Sequence, residues 1–208
     1  MFLQQPSRCA AVSAAVVLGV ALWAAQPPDA PAQNARLTGQ LLVATTELEG
    51  PVFEKTVVYM VRHEAQTGAM GLIVNRPLGD VPLEVLLRQA GLPGTGVKGS
   101  VRLHVGGPVE PTRLSVLHTD DYAGPDTVKV ANGVALTAEP SILEAIVKGN
   151  GPRRVRFAVG FAGWAPGQLE AEMRAGYWIA VPSDEAILFD DAYDTKWDRA
   201  MAKRKISL

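Results

Sequence analysis

Three places in this 208-residue chain gather residue types that can do chemistry. Residues 160–173 read GFAGWAPGQLEAEM, a glycine-rich turn followed by two carboxylates, Glu170 and Glu172. Residues 190–194 read DDAYD, a D-D-x-x-D spacing that can gather magnesium when it lies on a helix facing a diphosphate. His63, His104 and His118 supply candidate bases. Two carboxylates act together only when both reach one reacting atom. On a helix beginning near Pro166, Leu169 and Met173 form the apolar stripe, and Glu170 and Glu172, two positions apart, fall on its opposite flanks. The spacing therefore predicts no shared atom, and Glu170 with Arg174, four apart, reads as a surface ion pair.

The histidines fit no zinc spacing, and the one cysteine, Cys9, precedes the globular part, so neither metal nor cofactor is expected. His63 and His118 close apolar strands, where a side chain hydrogen-bonded to backbone is the ordinary arrangement. Ser115, His118 and Asp120 suggest a hydrolase triad, but no G-x-S-x-G elbow accompanies them and Ser115 lies within a strand. GTGVKG, residues 94–99, follows a helix and leads into a strand, the reverse of a dinucleotide-binding turn. In the 190–194 segment, Thr195 with Asp198 three residues later resembles a capping box, so that stretch reads as a helix start.

What helix propensity does not require is Trp164 or the glycines around it. Glycine lets backbones approach closely, and the first amides of a helix can hold an anion. A ligand site is expected where three turns meet, should the fold bring them together. Asn75 and Arg76 would supply polar and charged groups, Gly106 and Gly107 backbone amides in a turn with Pro108, and Trp164, Gly167 and Gln168 a stacking wall and a helix start.

The elements that must position these residues alternate apolar runs with turn signals. Strands are predicted at residues 39–45, 56–63, 69–75, 101–105, 113–118, 126–131, 133–138, 153–161 and 177–182. The first three are continuously apolar, as strands covered on both faces are. Asn132-Gly133 marks a two-residue hairpin. Helices are predicted over 81–90, 141–148, from Pro166 toward Gly176, and over 195–203. Many strands with interspersed helices define an α+β fold.

At 48% hydrophobic and 20% charged residues, the chain suits one globular domain. Ahead of it, residues 1–32 carry a short polar leader, a 16-residue apolar run from Ala10 to Ala25, and a proline-rich stretch with an Ala30-Pro31-Ala32 cleavage pattern. That run suits a signal peptide better than a bilayer span of about 20 residues. Export to a periplasm, or an inner-membrane anchor, is expected, with membrane contact only through residues 10–25. Formal net charge is −1 and charges are scattered, which argues against direct nucleic-acid binding. Lys203-Arg204-Lys205, the one basic cluster, suits the end of the last helix.

From about Leu37 to Trp197 the chain resembles the AlgH/YqgE family of bacterial proteins. The resemblance rests on LLVAT, FEKTVVYMVRH, GAMGLIVNRPLG, VGGPV, the Leu117-His118 pair and GFAGWAPGQLEAEMRAGYW. The chain departs from it at Thr46 and Gly50, where members commonly have proline and aspartate. The resemblance implies a single α+β domain, residues 37–208, with a branched, partly barrel-like sheet surrounded by helices, and members that are usually cytoplasmic. It implies no established reaction, cofactor or catalytic residue, and its transcriptional name does not imply contact with DNA. The expectation is a non-catalytic binding or regulatory module with a protein or small-molecule partner. The alternatives are a hydrolase with a histidine base and a membrane-tethered assembly factor.

Overall fold

The computed structural model describes residues 37–204; the leader, Cys9 and Lys205 lie outside them. Ten strands and five helices follow in the order β1 (Gln40–Ala44), β2 (Val57–Glu64), β3 (Gly68–Ile73), β4 (Pro77–Pro82), α1 (Leu83–Gln89), β5 (Ser100–Val105), β6 (Val109–Thr119), β7 (Val128–Ala131), β8 (Val134–Thr137), α2 (Ser141–Val147), β9 (Val155–Trp164), α3 (Gln168–Arg174), β10 (Trp178–Pro182), α4 (Glu185–Phe189) and α5 (Tyr193–Met201). The main path of the sheet runs β10-β1-β2-β3-β9-β6-β8-β7, with β4 and β5 branching from it. The result is a single α+β domain whose curled sheet forms a half-barrel, as the family resemblance implies.

The branch is made by β9. One of its edges pairs with β6. The other pairs with β5 in parallel over Phe157–Val159 and with β3 in antiparallel over Ala162–Trp164. Gly160, between the two stretches, has φ +71°. Where β3 and β5 part, the Gly106 amide donates to Val159 and its carbonyl accepts from Ile73. A side chain at Gly106 would run into the Gly160 carbonyl, and one at Gly107 into the Phe161–Ala162 peptide. The glycine pair is what lets three strands meet at one point.

Alternation along β1 and β2 explains why they lack a wet face. Leu41, Val43, Val57, Tyr59 and Val61 pack beside α4 and α5 with Leu188 and Ala200. Leu42, Ala44, Val58 and Met60 face the other way, toward Leu169 of α3 and toward Trp164 and Trp178. A third cluster under α1 and α2 joins Leu86, Leu87, Ile142 and Leu143 to Leu103 and Phe157. Period-two side chains thus feed two cores at once.

Three expectations are corrected. The stretch between the strand expected to end at residue 75 and the helix expected from 81 is itself a strand, β4 (Pro77–Pro82), and α1 begins only at Leu83. Strand β4 pairs with β5 alone, and an edge strand tolerates proline at its ends. Helix α5 starts at Tyr193 with Ala192 as its cap residue, so Thr195 lies inside the first turn, bonded to the Ala192 carbonyl, and no Thr195–Asp198 capping box forms. Glu170 pairs with His63 Nε2 at 2.9 Å rather than with Arg174. Lys203, beyond the end of α5, pairs with Asp184 at 2.5 Å. Among the described residues no helix is long and apolar enough to cross a membrane.

Candidate functional site

The largest concentration of buried charge lies between the β5–β9 pair and α5. Leu103 and Phe157 point into the cluster under α1 and α2, so their neighbours His104 and Arg156 point the opposite way, toward Tyr193. His104 is 2% exposed and Arg156 3%. The Phe157 carbonyl lies 3.0 Å from His104 Nδ1 and can only accept, so that nitrogen carries the proton. Arg156 Nη1 lies 2.5 Å from Nε2 and can only donate, so His104 is a neutral imidazole with both nitrogens used. Burial, and then the Arg156 charge, push its pKa down to about 4.

Arg156 spends three more donors on the Leu188 carbonyl at 2.6 Å, the Asp190 carbonyl at 2.8 Å and the Tyr193 hydroxyl at 3.2 Å, which leaves one Nη2 hydrogen. The carboxylate it faces is that of Asp191, at 3.8 Å, whose side chain is 76% exposed. The single Tyr193 proton has two acceptors, His104 Nε2 and Asp191 Oδ1. Because Nε2 already accepts from Arg156, that proton belongs to Asp191. Behind this layer, Asp190 accepts from Arg199 at 2.6 and 3.0 Å and from fully buried Lys196 at 2.7 Å. Burial would raise the Asp190 pKa, but those hydrogen bonds outweigh it and hold the carboxyl well below the usual range. Burial pushes the Lys196 ammonium down to about 8 against the pull of Asp190.

The other two histidines are built into the fold. His118 Nδ1 donates to the Thr119 carbonyl at 2.7 Å, and Nε2 meets the Thr137 hydroxyl at 2.9 Å. His63 Nδ1 accepts from the Leu37 amide at 3.3 Å while Nε2 donates to Glu170. Ser115 is buried within β6, where it pairs with Ala158. Among the described residues no three histidine, cysteine, aspartate or glutamate side chains are placed to hold a metal ion.

The turns expected to form a ligand site do meet in part. The Arg76 carbonyl accepts from Val105, Gly106 bonds to Ile73, and Gly107 lies against Phe161–Ala162. Their polar groups are engaged internally. Asn75 accepts from the Val57 amide and donates to the Lys55 carbonyl, and Arg76 donates to the Glu54 carbonyl. Pro108 is exposed between the half-exposed Val105 and Val109. Trp164 is 6% exposed and stacks edge-on against Trp178, and both indoles donate to Glu172 Oε2, at 2.8 and 2.9 Å. Gln168 closes the turn by accepting from the Ala165 amide and donating to Glu172 Oε1. Gly167, with φ +77°, is the cap residue of α3. Glu170 and Glu172 serve different partners, as their spacing predicts.

Residue types and spacing bring out His104 and residues 190–194 but neither Arg156 nor the meeting of the three. The available signal was Arg156, a charge embedded in the apolar run VRFAV, and the 190–194 segment, weighed only for metal binding or helix initiation.

An AlgH-like family model, DUF179, matches residues 41–208. A UPF0301 protein of Methylococcus capsulatus is 42% identical over 176 residues, which is 85% of this chain and 96% of that protein. One from Caulobacter vibrioides is 44% identical over 173 residues, 82% of this chain and 88% of its own. The solution structure of the AlgH protein from Pseudomonas aeruginosa superposes with a TM-score of 0.69 at 33% identity, covering 85% of this chain and 93% of that one. A Corynebacterium diphtheriae crystal structure shares the fold at 21% identity and a TM-score of 0.63, covering 82% and 88%. On these matches the chain belongs to the AlgH-like family.

Proposed function

We propose that this protein is a non-catalytic binding module that meets its ligand where Tyr193 and Asp191 cover the buried His104–Arg156 pair. The observation that carries this reading is the exposed Asp191 carboxylate standing 3.8 Å in front of a guanidinium that is otherwise shut in the core. Such an arrangement offers an exchangeable contact backed by a rigid, fully hydrogen-bonded support. A general base needs a ring nitrogen free to take a proton, and each histidine has both nitrogens committed to protein groups. Those commitments favour binding over a histidine-based hydrolase. The apolar run of residues 10–25 supports an exported or anchored module, which cell fractionation with a C-terminal tag would test.

The binding reading is tested by amide chemical-shift mapping against a panel of small anionic, cationic and neutral compounds. Saturable shifts centred on His104, Arg156 and Ala192–Lys196 are expected. Saturable shifts centred elsewhere, or turnover of a panel compound that Tyr193→Phe abolishes, would overturn it.

A further inference from the structure

The geometry points to a carboxylate-binding site formed by Tyr193, Arg156 and Arg102, in which the protein's own Asp191 occupies the place of the ligand. This inference rests on the binding reading above and adds the ligand's chemistry.

The charges around the site are unevenly matched. Arg102, Arg156, Lys196 and Arg199 stand against Asp80, Asp190 and Asp191. Asp190 is fully engaged by Lys196 and Arg199, and Asp80 by Arg102 at 2.8 Å. For Arg156 there remains, among the described residues, only Asp191, beyond hydrogen-bond distance at 3.8 Å. A buried guanidinium is costly without a close counter-charge, and its partner here is a mostly exposed side chain on a short link before α5. Rotation of the Asp191 side chain about its own bonds would carry the carboxylate into water and leave the Asp190 carbonyl on Arg156.

What Asp191 would leave behind suits another carboxylate. The Tyr193 hydroxyl presents one proton, His104 Nε2 is occupied by Arg156, and the donor therefore turns toward an incoming acceptor. Arg156 Nη2 supplies a charge-assisted partner from the floor. Arg102, two positions before His104 on β5 and so on the same face of that strand, has a side chain 45% exposed and adds a positive charge to that face. Asp190 keeps its own cations and does not compete. An internal competitor that fills the site most of the time weakens apparent affinity in proportion to the open fraction, so removing it tightens binding about tenfold if the open form is about a tenth of the population.

The test titrates acetate, acetamide and inorganic phosphate into the wild-type protein and Asp191→Ala, reading the Tyr193 and His104 resonances, with ionic strength held constant. Expected is saturable acetate binding about tenfold tighter in Asp191→Ala, no response to acetamide, and weaker binding of phosphate. Adding Arg102→Gln or Tyr193→Phe to Asp191→Ala should remove the gain while the remaining amide spectrum stays native. Equal acetate affinity in both proteins, a matching response to acetamide, or tighter binding of phosphate overturns the carboxylate assignment. A neutral or cationic panel compound that saturates the same resonances would overturn this inference and leave the binding reading standing. Saturable shifts centred elsewhere would remove both.

Discussion

Arg156 Nη1 donates to Nε2 of His104 at 2.5 Å, and both residues are nearly inaccessible to solvent. A second proton on His104 would set N–H against N–H beside a full positive charge. The imidazole is therefore neutral at pH 7, and its neutrality is a condition of the fold.

That condition predicts acid sensitivity. The folded pKa of His104 lies at about 4 and the unfolded value near 6.5, so between these limits the unfolded chain binds more protons. Stability is fully present above about 6.5 and falls as pH drops toward 4, by about 3 kcal/mol from this residue. His118, also shifted down by burial, adds in the same direction. Urea unfolding at several pH values should show the slope, and His104→Gln should flatten it. A variant that keeps the full slope would remove His104 as its source.

Glu172 carries a second expectation. Its Oε2 accepts both indole N–H groups, from Trp164 and Trp178, whose rings stand 5.7 Å apart at 82°. Glu172→Ala leaves two buried donors unpaired and should cost about 2 to 6 kcal/mol, since an unsatisfied buried polar group costs about 1 to 3. Near-ultraviolet circular dichroism should lose the signal of the paired indoles. A cost below about 1 kcal/mol would show that water replaces the carboxylate without penalty.

How much of this was legible beforehand depends on the range of the interaction. The strands β1 to β3 and the Asn132-Gly133 hairpin follow from local apolar runs and turn chemistry, and they form where expected. The divergence of Glu170 and Glu172 follows from helical spacing. Strand β4 was hidden because its prolines read as breakers until β5 supplies a partner along one edge. The roles of Gly106 and Gly107 depend on β9, some fifty residues away, which takes up the Gly106 amide and packs its Phe161–Ala162 peptide against Gly107. The His104–Arg156–Tyr193 cluster joins three distant segments, and the local patterns around Arg156 and residues 190–194 do not say that they meet. Helix α4 is a single short turn of five residues, capped by Asp184, whose apolar residues read equally well as a strand.

The two kinds of glycine in the expected ligand turns should behave differently. Gly107 has φ +154° and no room for a side chain against the Phe161–Ala162 peptide, so Gly107→Ala should prevent folding or cost at least about 4 kcal/mol. Gly167, at φ +77°, faces open space, so Gly167→Ala should cost only the left-handed backbone strain of about 1 kcal/mol. Soluble yield and urea midpoints distinguish the two. Equal effects would mean that β9 moves away from the branch point.

Asp190 and Lys196 should prove unequal partners. Lys196 is fully buried with its ammonium on the Ile187 carbonyl and on Asp190, yet Asp190 retains Arg199 on both oxygens. Lys196→Met removes a desolvated charge and leaves the Asp190–Arg199 pair intact, so stability should change by less than about 1 kcal/mol in either direction. Asp190→Asn instead leaves a buried ammonium without its counter-charge and weakens Arg199 as well, at a cost of about 3 kcal/mol. The asymmetry has a pH signature. The Lys196 pKa is about 8 folded against 10.5 unfolded, so the unfolded chain binds more protons between these values and wild-type stability should rise as pH climbs through that window. Lys196→Met should lose this rise. If it loses several kcal/mol at pH 7 and keeps the alkaline rise, the lysine is a net stabilising ion-pair partner and the desolvation argument fails.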